Sequence, residues 1–139
     1  MTYTLRRITA ADADLFKTIA VDVFDEPIDA ERLVDYLSVT GHQMVLAIKD
    51  GAVIGQCAAV IHHHPDKTDE LYIDEVGTAT THLRRGIARA MLGEMFAWGR
   101  ELGCTEAWLG TDLDNDPANG LYRHLDGRED TIKYYEFKL

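Results

Sequence analysis

One stretch constrains this 139-residue chain more than any other: a strand-like run, a basic glycine turn and a long amphipathic helix in immediate succession. Glu70 to Thr78 reads as the strand. His82-Leu83-Arg84-Arg85-Gly86-Ile87-Ala88 is the turn, and Ile87, Met91, Leu92, Met95, Phe96 and Leu102 follow at helical spacing. A strand that feeds a crossover helix predicts a mixed α/β sheet. The junction also suits an anion. First-turn amides of a helix lack intrahelical acceptors, and the helix dipole adds partial positive charge there. Gly86 lets the backbone approach a phosphate closely, Ala88 keeps the next turn small, and Arg84 and Arg85 add charge-assisted donors. A basic helix start with a glycine turn is also common in α/β proteins that bind nothing there.

The rest of the chain supplies the other elements. Residues 4–8 read as a first strand, and Thr9 as the cap of a helix carrying Leu15, Phe16, Ile19, Ala20 and Val23 on one face. Asp25-Glu26-Pro27 breaks that helix, and Asp29 caps a second one with Leu33, Val34 and Leu37 at helical spacing. Residues 44–48 and 53–61 read as strands joined at Lys49-Asp50-Gly51, whose Asp-Gly pair favours a hairpin. Gly103 suits the end of the central helix, and residues 105–111 read as a fifth strand. Asp116-Pro117 opens a short helix with Ala118, Leu121, Tyr122 and Leu125 on its apolar face, and residues 131–137 close the chain as a strand. The order β-α-α-β-β-β-α-β-α-β predicts one mixed α/β (α+β) domain over residues 1–139, without linker or repeat.

Composition narrows the function classes. A net charge of -10 argues against a nucleic-acid partner and favours a cationic one. No apolar run is long enough for a bilayer, and the N-terminus lacks a signal-peptide pattern, so no membrane partner and a cytoplasmic location are expected. Cys57 and Cys104 read as buried free thiols without metal spacing. His62-His63-His64 invites a metal reading, but three consecutive strand residues cannot all face one ion and no further ligand spacing is evident. The segment reads instead as a hairpin connection ending in Pro65, and no metal is expected.

A second constellation, Asn115-Asp116-Pro117-Ala118-Asn119-Gly120-Leu121-Tyr122, puts Asn115 at a helix start and Tyr122 about two turns on. With the basic turn before it, the chain resembles the GCN5-related N-acetyltransferases. That family carries Q/R-x-x-G-x-G/A at the strand-turn-helix junction, here Leu83 to Ala88, and N-x-x-A-x-x-L-Y in a later helix, here Asn115 to Tyr122. The order of elements matches over nearly the whole chain. Two departures stand out: Leu83 replaces the usual Gln or Arg, and Leu125-Asp126-Gly127-Arg128 replaces the usual L-G-F ending.

The resemblance implies the acyl-CoA N-acyltransferase fold, with its central sheet splayed near residues 75–78, and acetyl transfer from acetyl-CoA to a primary amine. The amides of Arg85, Gly86, Ile87 and Ala88, with the side chains of Arg84 and Arg85, would hold the pyrophosphate. The backbone at Val76, Gly77 and Thr78 would pair with pantetheine and offer an oxyanion donor. Asn115 would hydrogen-bond the pantetheine arm, with Ala118 in the same motif, and Tyr122 would protonate the leaving thiolate. An ammonium must lose a proton before it attacks. Asp74 and Glu75 are the candidate bases; regular alternation lets only one of them face the cleft, and Glu75 is favoured.

The acidic residues point to the acceptor. Asp22, Asp25, Glu26 and Asp29 cluster between the first two helices, a wall of the acceptor site in this family, and Asp112 and Asp114 follow the fifth strand. Asp29 and Asp116 also have capping reasons. Asp22, Asp25, Glu26, Asp74 and Asp112 are the candidate acceptor contacts, suited to a cationic small-molecule amine. The sequence is similar to the aminoglycoside 3-N-acetyltransferase branch, an antibiotic-resistance activity, through residues 22–27, 70–78 and 112–122. A polyamine or a protein or peptide amine as acceptor, and a non-catalytic CoA-binding module, remain as alternatives. A homodimer is a family-level expectation.

Overall fold

The sheet begins at a hairpin. Asp50 (φ 52°) and Gly51 (φ 78°) are both left-handed, as a two-residue type I′ turn requires. They join β2 (His42–Lys49) to β3 (Ala52–His62) in the computed structural model, which describes residues 2–139. With β1 (Thr4–Arg7), β4 (Glu70–Thr78) and β5 (Glu106–Trp108) the strands form one sheet in the order β1-β2-β3-β4-β5. The first four run antiparallel, and β5 runs parallel to β4 because α2 (Ile87–Glu101) carries the chain back between them.

Packing of α2 explains two glycines. A Cβ on Gly55 would lie 3.0 Å from the Met91 methyl, and one on Gly99 2.9 Å from a Leu71 methyl. Helix and sheet therefore approach closely over a core in which Leu46, Leu71, Ile87, Met91, Leu92 and Met95 are almost fully buried. Each such side chain contributes about 1.5–3 kcal/mol of transfer free energy. α2 ends in a Schellman motif, as Gly103 predicts: Gly103 (φ 92°) donates to Arg100 O at 3.0 Å and Cys104 to Gly99 O at 2.9 Å.

β5 pairs with β4 only over Glu70–Tyr72. From Ile73 onward no strand among the described residues covers that edge of β4, which is the expected splay. The expected fold class holds, with two elements changed. The first of the two predicted helices is only a 3-10 turn, Ala13–Lys17, while the second is α1 (Ala30–Ser38), capped by Asp29 as expected. Thr9 is not a cap. Asp12 organises the turn by accepting from Thr9 N at 2.7 Å and pairing with Arg6 at 2.6 Å. Ile19 satisfies the helical period yet bridges Val53 as extended chain.

The chain divides into two compact units, one up to Leu109 and one from Gly110 onward. The second contains α3 (Asp116–His124), and residues 126–139 hold no helix or strand. The predicted final strand at 131–137 is not formed: its unit offers no strand to pair with, and Ile132, Tyr134 and Phe137 stay exposed.

Candidate active site

Backbone shape at the start of α2 is the first component. Gly86 caps the helix in left-handed backbone (φ 75°), and Arg84 is left-handed too (φ 61°). Left-handed residues in a turn aim N–H groups into a concavity that gathers anions. A Cβ on Gly86 would meet nothing within 4 Å, so glycine serves the turn and leaves room beside it. Ala90 N makes the first intrahelical bond, to Gly86 O at 3.0 Å. The amides of Ile87, Ala88 and Arg89 precede it and have no acceptor in the helix. Ile87 puts its side chain in the core, so only its amide is available, whereas Arg84 and Arg85 are exposed. Main-chain donors and two guanidinium groups fit a diphosphate. Along the adjoining strand, Val76, Gly77 and Thr78 pair with Cys57, Gln56 and Gly55 on one side. Their other edge fits an extended, amide-bearing arm.

The second component is a β-bulge. Ile73 pairs with Ala59 and Glu75 with Ala58, so Asp74 is an extra residue without a partner on β3. Register then fixes the faces. Gly55 faces α2, and Ala59 and Ile73 share that face. Ala58 and Glu75 lie on the opposite face, and Asp74, one step from Ile73, joins them. The alternation argument, under which only one carboxylate faces the cleft, therefore fails at this point. Tyr36 of α1 registers both acids: burial first, then the charges of Asp74 and Glu75, push its hydroxyl up to about 12. Burial also raises the Glu75 carboxyl; the charges of Asp25 and Asp74 add to this, and a hydrogen bond from Gln56 opposes it. Asp74 is raised chiefly by burial, against its own backbone hydrogen bond and His42. Its side chain is nevertheless exposed, so solvent weakens that effect relative to half-buried Glu75. A carboxyl held above its ordinary range suits proton abstraction from an ammonium.

The third component covers that face. Ala20 N bonds Val53 O and Val53 N bonds Thr18 O, both at 2.9 Å, laying the segment after the 3-10 turn along β3. Asp22 is left-handed (φ 65°), and its carboxylate accepts from Thr80 Oγ1 at 3.2 Å. Val23 is buried, with its carbonyl accepting from Gln56 Nε2 at 3.4 Å. A Cβ on Gly77 would sit 2.2 Å from that carbonyl oxygen, so only glycine permits the approach. Of the acidic residues here, Asp22 is engaged with Thr80, Asp25 is the charge nearest in effect to Glu75, and Glu26 is exposed beside it. Sequence reasoning missed Gln56, which is fully buried and bonds both Val23 and Glu75. Its Oε1 has no partner among the described residues. A lone amide inside the apolar run 53–61 was the signal.

The second unit holds Asn115, Ala118, Tyr122 and Asp112. Asn115 caps α3: Oδ1 accepts from Ala118 N and Nδ2 donates to Thr111 Oγ1, both at 3.3 Å. Asn119 closes the same loop by donating to Asp112 O at 3.0 Å and Asn115 O at 2.9 Å. Asp112 is exposed, and Tyr122 is half-buried in the second turn of α3. The departure at 125–128 is a Schellman motif: Asp126 N donates to Arg123 O and Gly127 N to Tyr122 O, both at 3.0 Å. Asp126 (φ 62°) occupies the left-handed position that glycine usually takes.

Residues 9–126 match the acetyltransferase (GNAT) family. No curated protein matches the sequence. Among solved structures, an aminoglycoside acetyltransferase from an uncultured soil metagenomic sample, in complex with trehalose, aligns at TM-score 0.86 and 17% identity, covering 99% of this chain and 96% of its own. A second aminoglycoside acetyltransferase from such a sample aligns at TM-score 0.85 and 20% identity, covering 100% and 99%. AAC(6')-Iy in complex with the bisubstrate analogue CoA-S-monomethyl-acetylneamine aligns at 0.82 and 18%, covering 100% of both chains. At these identities the likeness is one of fold.

Proposed function

The chain belongs to the acetyltransferase (GNAT) family and is an acetyl-CoA-dependent N-acetyltransferase, and from that premise we propose that its acceptor is a primary amine of a polycationic small molecule, an aminoglycoside first. The observation that carries this reading is the carboxylate group at β4. Asp25, Asp74 and Glu75 act on one another or on Tyr36, and Glu75 is held above its ordinary range. Multiple carboxylates at one wall favour a multiply charged amine through charge-assisted hydrogen bonds. The aminoglycoside names of the structural neighbours support the choice. The family match runs from residue 9 to residue 126 and supports reading the chain as one catalytic domain.

Acetyl-CoA supplies the acyl group as a thioester. Main-chain donors at residues 85–88 and the guanidinium groups of Arg84 and Arg85 hold the diphosphate. The free edge at Val76 to Thr78 aligns the arm. Glu75 takes the proton from the acceptor ammonium, directly or through water, and its raised pKa makes it a stronger base than an ordinary carboxylate. Asp25, Asp74 and Glu26 hold other ammonium groups of the acceptor. Asp22 and Asp112 are assigned the same role, with Asp22 the weaker contact because Thr80 already engages it. Asn115 and Ala118 take part in coenzyme binding, and the Tyr122 hydroxyl gives its proton to the departing sulfur.

Thiol release from acetyl-CoA, measured against aminoglycosides, polyamines and peptides, tests the acceptor class. Turnover with aminoglycosides is expected. Preference for polyamines or peptides replaces the acceptor, and coenzyme binding without turnover on any of them replaces the activity. The proposed position is the 3-N amine; one neighbour carries 6′ in its name. NMR of the acetylated product distinguishes these amines.

A further inference from the structure

Two of the three consecutive histidines converge where the run alone gives no reason to expect it. His62 closes β3 directly opposite Glu70, the first residue of β4. His64 lies two residues on, and its ring returns over His62 with centroids 4.3 Å apart. His64 Nε2 also meets the Glu70 carboxylate. One ligand atom from each of His62, His64 and Glu70 lies within 4.8 Å of the others. His63 points elsewhere, pairing with Asp69 at 2.9 Å while 73% exposed. The side chains of His64 and Glu70 are only 14% and 20% exposed, so they are set in place by the hairpin rather than waving from it.

We propose that His62, His64 and Glu70 form a binding site for one borderline divalent cation of the Zn2+ type, clamping the β3–β4 connection. Two imidazoles and a carboxylate are the donor set such ions select over Mg2+ and Ca2+. Tetrahedral coordination at about 2.0–2.2 Å places ligand atoms about 3.3 Å apart, so the direct His64–Glu70 contact opens to admit the cation. Lys67, whose ammonium is 3.8 Å from Glu70 Oε1, is 58% exposed and free to swing into solvent as the cation arrives. The objection from three consecutive histidines is met, because the middle one is not a ligand and Glu70 is supplied by the neighbouring strand. The cation leaves one position for water. The clamp sits at the far end of β4 from Glu75, and acetyl transfer does not pass through it.

Full-length untagged protein, stripped with chelator, is titrated with Zn2+ by equilibrium dialysis and thermal melting. One equivalent is expected to bind and to raise the Tm, while Mg2+ does neither. His64→Gln and His62→Gln are each expected to weaken Zn2+ binding by roughly a hundredfold or more. His63→Gln is expected to bind like wild type. Circular dichroism and acetyl-transfer activity of each variant, measured without metal, show that the fold is intact. The proposal is overturned if Mg2+ shifts the melt as Zn2+ does, if His63→Gln loses binding as His64→Gln does, or if the folded His62→Gln/His64→Gln double variant retains stoichiometric Zn2+.

Discussion

Glu75, the proposed base, sets function against stability at the level of one side chain. Its carboxyl is raised by burial, by Asp25 and by Asp74, so the native state binds its proton more tightly than the unfolded chain does. Stability from this group is therefore greatest at low pH and falls as pH rises through its native pKa. Glu75→Gln is expected to raise the Tm at pH 7, with the gain fading below the ordinary carboxylate range, while turnover collapses. Asp25→Asn removes a repelling charge, lowers the Glu75 pKa and should move the acidic limb of kcat/KM to lower pH; an unmoved limb excludes Glu75 as the titrating base. Tyr122→Phe should lower turnover by roughly a hundredfold or more with acetyl-CoA affinity nearly unchanged, and a rate equal to wild type removes Tyr122 from the acid role. The acids themselves were legible in the sequence. Their shared face was not, because a bulge is a property of the register between β3 and β4 and leaves no mark on either strand alone. Gln56 was hidden for a related reason: its partners are the Val23 carbonyl, 33 positions away, and Glu75.

Among the elements, those with local signals were readable. The Asp50-Gly51 turn, the Asp29 and Asn115 caps and the apolar face of α2, apart from Leu102, which lies exposed past its end, each follow from a few neighbouring residues. The 3-10 turn was misread because its apolar spacing fits a helix, while the bonds of Thr18 and Ala20 to Val53 hold the following chain extended. The strand pattern at 131–137 failed because alternation describes a strand only where a partner exists. Two helix ends carry residues under backbone strain, which costs roughly 1–2 kcal/mol for a non-glycine residue in the left-handed region. Arg84→Gly ahead of α2 should therefore raise the Tm yet raise the KM for acetyl-CoA, since relief of strain comes with loss of a guanidinium proposed to bind phosphate. An unchanged KM would show that Arg84 has no part in the anion site. At the close of α3, Asp126→Gly should stabilise without touching either kinetic constant.

Across the whole molecule, the net charge of -10 should act at a distance on a polycationic acceptor. Raising ionic strength from 0.01 to 0.15 M shortens the screening length from about 30 Å to about 8 Å. The KM for an aminoglycoside should rise over that range, and the KM for the anionic coenzyme should not rise in parallel. Equal responses would mean that the acidic surface serves solubility alone. The extra residue at position 74 has a consequence for descent. Because the ladder is regular on both sides of it, removing that single codon would subtract one negative charge from the proposed acceptor wall while Ile73 keeps its place against α2 and Glu75 keeps its own. A lineage can thus change the charge of this face by one insertion or loss, leaving the hydrophobic interior unaware of the change.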